Sequence, residues 1–349
     1  MLVLQKQNVF LKGLFKSVCL MFFVLFLAGV PTRAQADDDK LPIGTVYFER
    51  LLGGQYIIKA HINGQGPFRF MIDTGATRTS IFETTRKALG LEIYGSRQRN
   101  ISGMTSMELR PVIHIDSLSF ATVKFEDHDI IVLEDWPKQE VPSETIDGIL
   151  GMDVLDDLIL SFKHKNQKLK IKQHGKINPR SMKRWAKFNL TANPYPGKDF
   201  GLMFTNTRFG DLLIPTMFDT GADFTAVSWN IVEGGKLGKE KRRLRDEWVV
   251  QGAVGEFKPK MRIVLDKFIV DGFLFRRQTL LIMDFDKLPI NGYGQYPMVI
   301  AGVDLLDGHD FILDMKEWDL YVNAPLRKQR VRGGMRARSE IDAMTVIVP

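Results

Sequence analysis

The tetrapeptide Asp-Thr-Gly-Ala occurs twice in this chain, at residues 73–76 and again at 219–222, and both copies follow apolar residues, Phe70-Met71-Ile72 and Met217-Phe218. At residue usages of about 5 to 7%, one given tetrapeptide turns up by chance in roughly one chain in a few hundred of this length. Two copies in like settings need a common cause. Chemistry supplies one: a catalyst that needs two carboxylates facing each other draws one from each of two similar loops.

The repetition extends beyond those four residues. A polar turn containing Gly103 and Met104 follows Asp73, and a second, Gly252-Ala253-Val254-Gly255, follows Asp219. Farther on, Ile149-Leu150-Gly151-Met152-Asp153-Val154-Leu155 is echoed by Ile300-Ala301-Gly302-Val303-Asp304-Leu305-Leu306. The offsets are 146 residues for the aspartates, 149 for the turns and 151 for the later glycines. Such small drift marks an internal duplication, one domain-sized unit per copy.

Each unit reads as β. Tyr56-Ile57-Ile58-Lys59-Ala60-His61-Ile62 and Phe68-Arg69-Phe70-Met71-Ile72 are rich in β-formers, and Asn63-Gly64 between them is a hairpin signal. Further short strands are expected at 112–115, 123–125, 130–133, 158–162 and 169–171. Helical pattern is scarce, with one short helix over 83–89 closed by Gly90 and another at 181–187. The turns at Gly103 and Gly252 read either as hairpins folding over a cleft or as ordinary surface hairpins. The expected organisation is a lobe at 41–175, a Pro-containing linker at 176–198, a second lobe at 199–325 and a basic tail at 326–349.

Residues 1–36 stand apart. Lys6, Lys12 and Lys16 precede an apolar stretch from Val18 to Val30, and Ala34-Gln35-Ala36 offers a small-residue cleavage site. This is the pattern of a secretory signal peptide, which predicts export to a periplasmic or secreted location, with an uncleaved membrane anchor as the less favoured alternative. The only cysteine, Cys19, would leave with the leader, so the mature chain would have no thiol or disulfide chemistry. The six histidines form no HExxH-like pair, and Asp127-His128-Asp129 reads as a solvated loop, so neither a metal nor a cofactor is expected.

The net charge of +7 also resolves into parts. Without the four basic residues of the leader it falls to +3, and without the tail, which holds six basic and two acidic residues, it becomes −1. A body of that charge argues against a nucleic-acid role, and no stacking aromatics are interleaved in the tail. The tail reads first as a flexible end, with peripheral membrane contact as its other reading.

Two aspartates brought within a few ångströms cannot both ionise cheaply, so they share one proton and titrate as a pair. The ionised member takes a proton from water while the protonated member hydrogen-bonds a carbonyl, with no covalent intermediate. Gly75 and Gly221 lack a Cβ, which lets the two loops approach and aims their N–H groups at the carboxylates. Thr74 and Thr220 carry hydroxyls able to cross to the opposite loop. Ala76 and Ala222 add no hydroxyl to favour the charged form.

These motifs resemble those of the retropepsin and pepsin clan of aspartic peptidases, in particular bacterial exported retropepsin-like proteases. Phe218-Asp219-Thr220-Gly221-Ala222-Asp223-Phe224-Thr225 is similar to the retroviral active-site stretch, and residues 71–80 are a looser version of it. The stretches ending at Gly151 and Gly302 resemble the clan's hydrophobic-hydrophobic-glycine element behind each catalytic loop. The resemblance implies an acid-protease fold, all-β, with two pseudo-twofold-related closed β-barrel-like lobes and few short helices.

It also implies an aspartic endopeptidase acting on polypeptides as a monomer, with Asp73 and Asp219 catalytic. The turns at Gly103 and Gly252 would then be flaps that close on an extended peptide, with Thr77, Gly103 and Met104 in one half-site and Asp223, Gly252 and Ala253 in the other. Neither turn carries the tyrosine of the pepsin flap, and Thr77 stands where the second copy has Asp223, which predicts unequal half-sites. Asp153 and Asp304 are expected to cap short helices. A non-catalytic peptide-binding or assembly protein with the same fold is the rival, weakened by retention of both mutually repelling aspartates.

Overall fold

The computed structural model describes residues 3–6, 44–94, 97–102, 107–136, 145–173, 177–178, 181–192, 201–210, 212–233, 241–242, 248–252, 256–285, 298–324 and 326–328. Strands dominate them, and the three α-helices, Glu83–Ala88, Met152–Leu155 and Trp229–Glu233, are short. This is the all-β acid-protease architecture that the motifs imply.

The first copy builds a closed barrel. Tyr56–Ile62, Gln65–Ile72, Gly148–Leu150, Ser80–Phe82, Val123–Leu133 and Met107–Phe120 follow one another around the sheet, and the last pairs back with the first through His61↔Ser119 and Ile62↔Leu118. The second copy repeats this with Met203–Phe209, Leu212–Phe218, Val299–Ala301, Ala226–Ser228, Phe273–Met283 and Met261–Val270, closed by Thr207↔Val270. Closure leaves these strands no open edge, and the inward side chains, such as Ile58, Phe70, Ile113 and Val132, form the core.

The strand leading to Asp73 shows why its carboxylate is held firmly. Gln65–Ile72 is exposed at its hairpin end, where Asn63 and Gly64 adopt positive φ, and fully buried over Phe70, Met71 and Ile72. The chain therefore delivers Asp73 from the interior rather than from a mobile loop. The helix expected at 83–89 is present as Glu83–Ala88, with Gly90 at φ +65 beyond it.

The two barrels are joined by a sheet that local sequence did not reveal. Its order is Ala186–Asn189, Asp319–Val322, Phe311–Asp314, Ile159–Lys163, Lys168–Lys172 and Thr45–Tyr47, so strands of the two lobes meet along the seam Leu160↔Leu313 and the expected linker supplies the edge strand. Phe162 and Phe311 stack across that seam with centroids 4.3 Å apart, and Tyr56 packs on both rings. Residues 186–189 thus form an edge strand, not the end of the helix expected at 181–187; the alternating burial of Ala186, Lys187, Phe188 and Asn189 fits a strand with one face on the core.

Candidate active site

In each half the strand that ends at the aspartate pairs in parallel with the short strand before the later glycine: Ile72↔Leu150 in the first, Phe218↔Ala301 in the second. Asp73 N–H donates to Leu150 O at 3.1 Å and Asp219 N–H to Ala301 O at 3.0 Å. The return of each loop is held as well, by Met152 N–H to Ala76 O at 2.8 Å and Val303 N–H to Ala222 O at 2.9 Å. Gly151 and Gly302 stand where a Cβ would meet backbone of Arg78, at 2.5 Å, or of Phe224, at 2.7 Å. Only a bare backbone fits so close behind the loop.

The loops then lock to each other. Thr74 Oγ1 donates to Phe218 O at 2.9 Å and accepts from Thr220 N–H at 3.0 Å; Thr220 Oγ1 donates to Ile72 O at 2.8 Å and accepts from Thr74 N–H at 3.1 Å. All four bonds are buried and cross the pseudo-twofold axis. Within each loop the aspartate Oδ1 accepts two backbone N–H groups, from Gly75 and Ala76 at 2.9 and 3.1 Å in the first and from Gly221 and Ala222 at 2.8 and 3.2 Å in the second. These bonds orient the carboxyls toward one another.

Both carboxyls are almost wholly buried, at 1% exposure for Asp73 and 2% for Asp219. Asp73 Oδ2 takes no hydrogen bond from an ordinary donor among the described residues; the group facing Asp73 is the Asp219 carboxyl, close enough to hydrogen-bond when one of the two holds a proton. Burial first, and the charge of Asp219 second, push the Asp73 carboxyl from the ordinary 3.8 up to about 7. A proton is therefore retained between the two at pH values where isolated carboxyls have lost theirs.

Residues 58–154 match the family model described as aspartyl protease. The match spans the first barrel, including Asp73 and Gly151, and supports a protease-like function. No curated protein matches the chain. The second barrel joins the first through the duplicated geometry rather than through the aspartyl protease match.

Other expected site residues divide. Asp223 is buried, with Gly53 so close that a Cβ there would lie 2.7 Å from Asp223 Cβ, while Thr77, its counterpart, is half-buried. Gly252 is buried directly after the strand Trp248–Gln251, which pairs with Glu256–Phe257; Gly103, Met104 and Ala253 lie outside the described residues. The strands flanking Gly103 and Met104, Gln98–Ser102 and Met107–Phe120, do pair as a hairpin. Ile101 in that hairpin and Ala76 in the first Asp-Thr-Gly loop pack against one apolar cluster that includes Met71, Val112 and Ile149.

Two expectations need correction. Asp153 and Asp304 cap no helix: the preceding Gly151 and Gly302 are the N-cap residues, and no side chain caps either element. Instead Asp153 Oδ1 accepts from Thr79 N–H and Oγ1–H, and Asp304 Oδ1 accepts from Thr225 Oγ1–H. Asp127-His128-Asp129 is not a solvated loop but part of the strand Val123–Leu133, with His128 turned toward Asp153.

Sequence reasoning also missed Gln55, a fully buried side chain of the first lobe whose Nε2 reaches Gly221 O at 3.4 Å. Nothing local distinguishes it. The partners His128 and Gln278 had a signal available, because they occupy matching places in the duplicated units.

Proposed function

We propose that this chain is an aspartic endopeptidase in which Asp73 and Asp219 share one proton and activate a water for direct attack on a peptide carbonyl. The ionised carboxylate takes a proton from the water as its oxygen bonds to the carbonyl carbon. The protonated carboxyl donates to the carbonyl oxygen, so the intermediate is a neutral diol. Proton transfer to the nitrogen then lets the C–N bond break, releasing an amine and a carboxylic acid and returning the dyad to its starting charge. No acyl-enzyme forms.

The observation that carries this reading is the mutual seating of each carboxyl on the opposing loop's glycine, Asp219 over Gly75 and Asp73 over Gly221. A fold alone has no use for two carboxyls buried against each other, since each raises the cost of ionising the other. An extended polypeptide is the natural substrate shape for strands that present an edge. The strand Trp248–Gln251 carries such an edge and pairs there with Val3–Lys6 of the same chain, Val3↔Gln251 through Lys6↔Trp248.

In this reading Thr77, Gly103 and Met104 contact substrate on one side of the scissile bond and Asp223, Gly252 and Ala253 on the other. The protein works as an exported monomer once its leader is removed; Arg327 and Lys328 pair with Leu274 and Phe273, and the basic residues of the tail after them are the ones offered to peripheral membrane contact. Residues 37–349 should cleave members of a peptide library profiled from pH 3 to pH 8, a range chosen about the raised carboxyl value. Asp73→Asn and Asp219→Asn should each abolish cleavage; a wild-type chain that cuts nothing, or a variant that cuts as well as wild type, would refute the assignment.

A further inference from the structure

Two long hairpins that the proposed chemistry never touches carry the same irregularity at matching places. In Met107–Phe120 with Val123–Leu133, pairing holds at Ile115↔His128 and Ser117↔Glu126 but is interrupted between them, where Asp127 adopts φ +50. In Met261–Val270 with Phe273–Met283, it holds at Leu265↔Gln278 and Lys267↔Arg276, and Arg277 adopts φ +52. Left-handed backbone is unfavourable for arginine, which lacks the short polar side chain that eases it in asparagine and aspartate. Its survival in both copies, with different residues, indicates that the local shape is needed.

The need lies one residue on. His128 Nε2 is 3.2 Å from Asp153 Oδ2, and Gln278 Nε2 donates to Asp304 Oδ2 at 2.7 Å. A carboxylate only accepts, so the His128 ring carries its proton on Nε2. Each aspartate passes the restraint to its catalytic loop through the threonine six residues after the catalytic aspartate. Thr79 Oγ1 accepts from Gly151 N–H at 3.1 Å and Thr225 Oγ1 from Gly302 N–H at 3.2 Å. The residues before those glycines, Leu150 and Ala301, accept the Asp73 and Asp219 N–H groups.

We propose that His128 and Gln278 are positioning residues of the two half-sites, each using the strand kink before it to aim one N–H at Asp153 or Asp304 and thereby hold the loop bearing Asp73 or Asp219. The internal duplication supplies the control: the donor is kept while its chemical type changes from imidazole to amide. An N–H donor at this place is therefore the requirement, and the histidine in the first lobe is one of two ways to meet it. A path of adjoining hydrogen bonds leads from each donor to its aspartate, so displacement of the donor reaches the dyad without touching substrate.

The test uses His128→Gln, His128→Leu and Gln278→Leu in the full chain, each checked for cooperative unfolding. The inference rests on the peptidase reading for one readout only. On a cleavable peptide, His128→Leu and Gln278→Leu should each lower kcat by about tenfold or more with KM held within about twofold, and His128→Gln should recover most of the loss. Independently of activity, amide exchange at Gly151 should quicken in His128→Leu and return toward wild type in His128→Gln.

Equal kcat values for His128→Leu and wild type, or a His128→Gln variant as damaged as His128→Leu, would overturn the proposal. If the wild-type chain cleaves nothing, the peptidase reading fails by itself. The exchange measurement then still decides the tether: unchanged exchange at Gly151 in His128→Leu refutes it.

Discussion

The Asp219 carboxyl packs directly on Gly75: a methyl group on that glycine would lie 2.4 Å from Asp219 Cγ, and the reciprocal distance from Gly221 to Asp73 Cγ is 2.5 Å. Neither loop has room to yield, because the threonine bonds fix the separation from below. Gly75→Ala should cost about 1 to 3 kcal/mol of stability as overpacking and lower kcat by about 100-fold through displacement of the dyad. Denaturant unfolding and peptide cleavage at the wild-type optimum check the two parts separately; wild-type kcat in the variant would mean that the loops are looser than this contact implies.

Folding stability should depend on pH through Asp73. Its carboxyl binds a proton more tightly folded than unfolded, so the contribution to stability is fully present below the ordinary 3.8 and is lost as pH rises toward about 7. The slope from one such group is at most about 1.4 kcal/mol per pH unit. Asp73→Asn, whose amide never ionises, should therefore be more stable than wild type at pH 8 and lose that advantage near pH 4, values chosen to bracket the window. Thermal unfolding across this range gives the comparison, and parallel curves for the two proteins would contradict the raised value.

Thr220→Val removes a hydroxyl that donates to Ile72 O and accepts from Thr74 N–H, leaving both partners buried and unpaired. The expected loss is about 2 to 5 kcal/mol, and Thr74→Val should cost a similar amount. Because the two side chains serve one network, the double variant should lose less than the two single losses together. A double-mutant cycle by urea unfolding measures the coupling; strict additivity would mean that the bonds act independently.

Phe311 stacks on Phe162 across the seam between the lobes, so Phe311→Ala opens a cavity shared by both. The loss should be about 3 to 5 kcal/mol. Tyr56 packs on the same rings and stands next to Gln55, which touches the Asp219 loop at Gly221, so on the proposed function cleavage activity should fall with stability. Calorimetry should still show one transition in the wild-type chain, while separate melting of the two barrels would indicate that the seam does not couple them.

The two Asp-Thr-Gly loops were legible in the chain because their pattern is local. Asp73, Thr74 and Gly75 are adjacent, follow a strand and recur at Asp219, Thr220 and Gly221, so a reader of residues alone finds both loops and their symmetry. The barrel strands were legible in outline for the same reason, since β-formers alternate within short windows, although Met107–Phe120 and Val123–Leu133 run longer than the apolar runs that announced them.

Residues alone carry the duplicated plan: two β units, each presenting one Asp-Thr-Gly-Ala loop backed by a glycine. How the loops meet follows from folding, with each threonine bonded to the opposite strand end and each carboxyl seated on the opposite glycine. Folding also decided the six-stranded sheet that joins the lobes, the placement of Gln55 and the tethers from His128 to Asp153 and from Gln278 to Asp304. The physical reason is range. Strand propensity and turn chemistry act over a few residues, whereas a buried carboxylate finds its donors among whatever the folded chain brings near, and for Asp304 those include Thr225 and Gln278, one 79 residues away and the other 26.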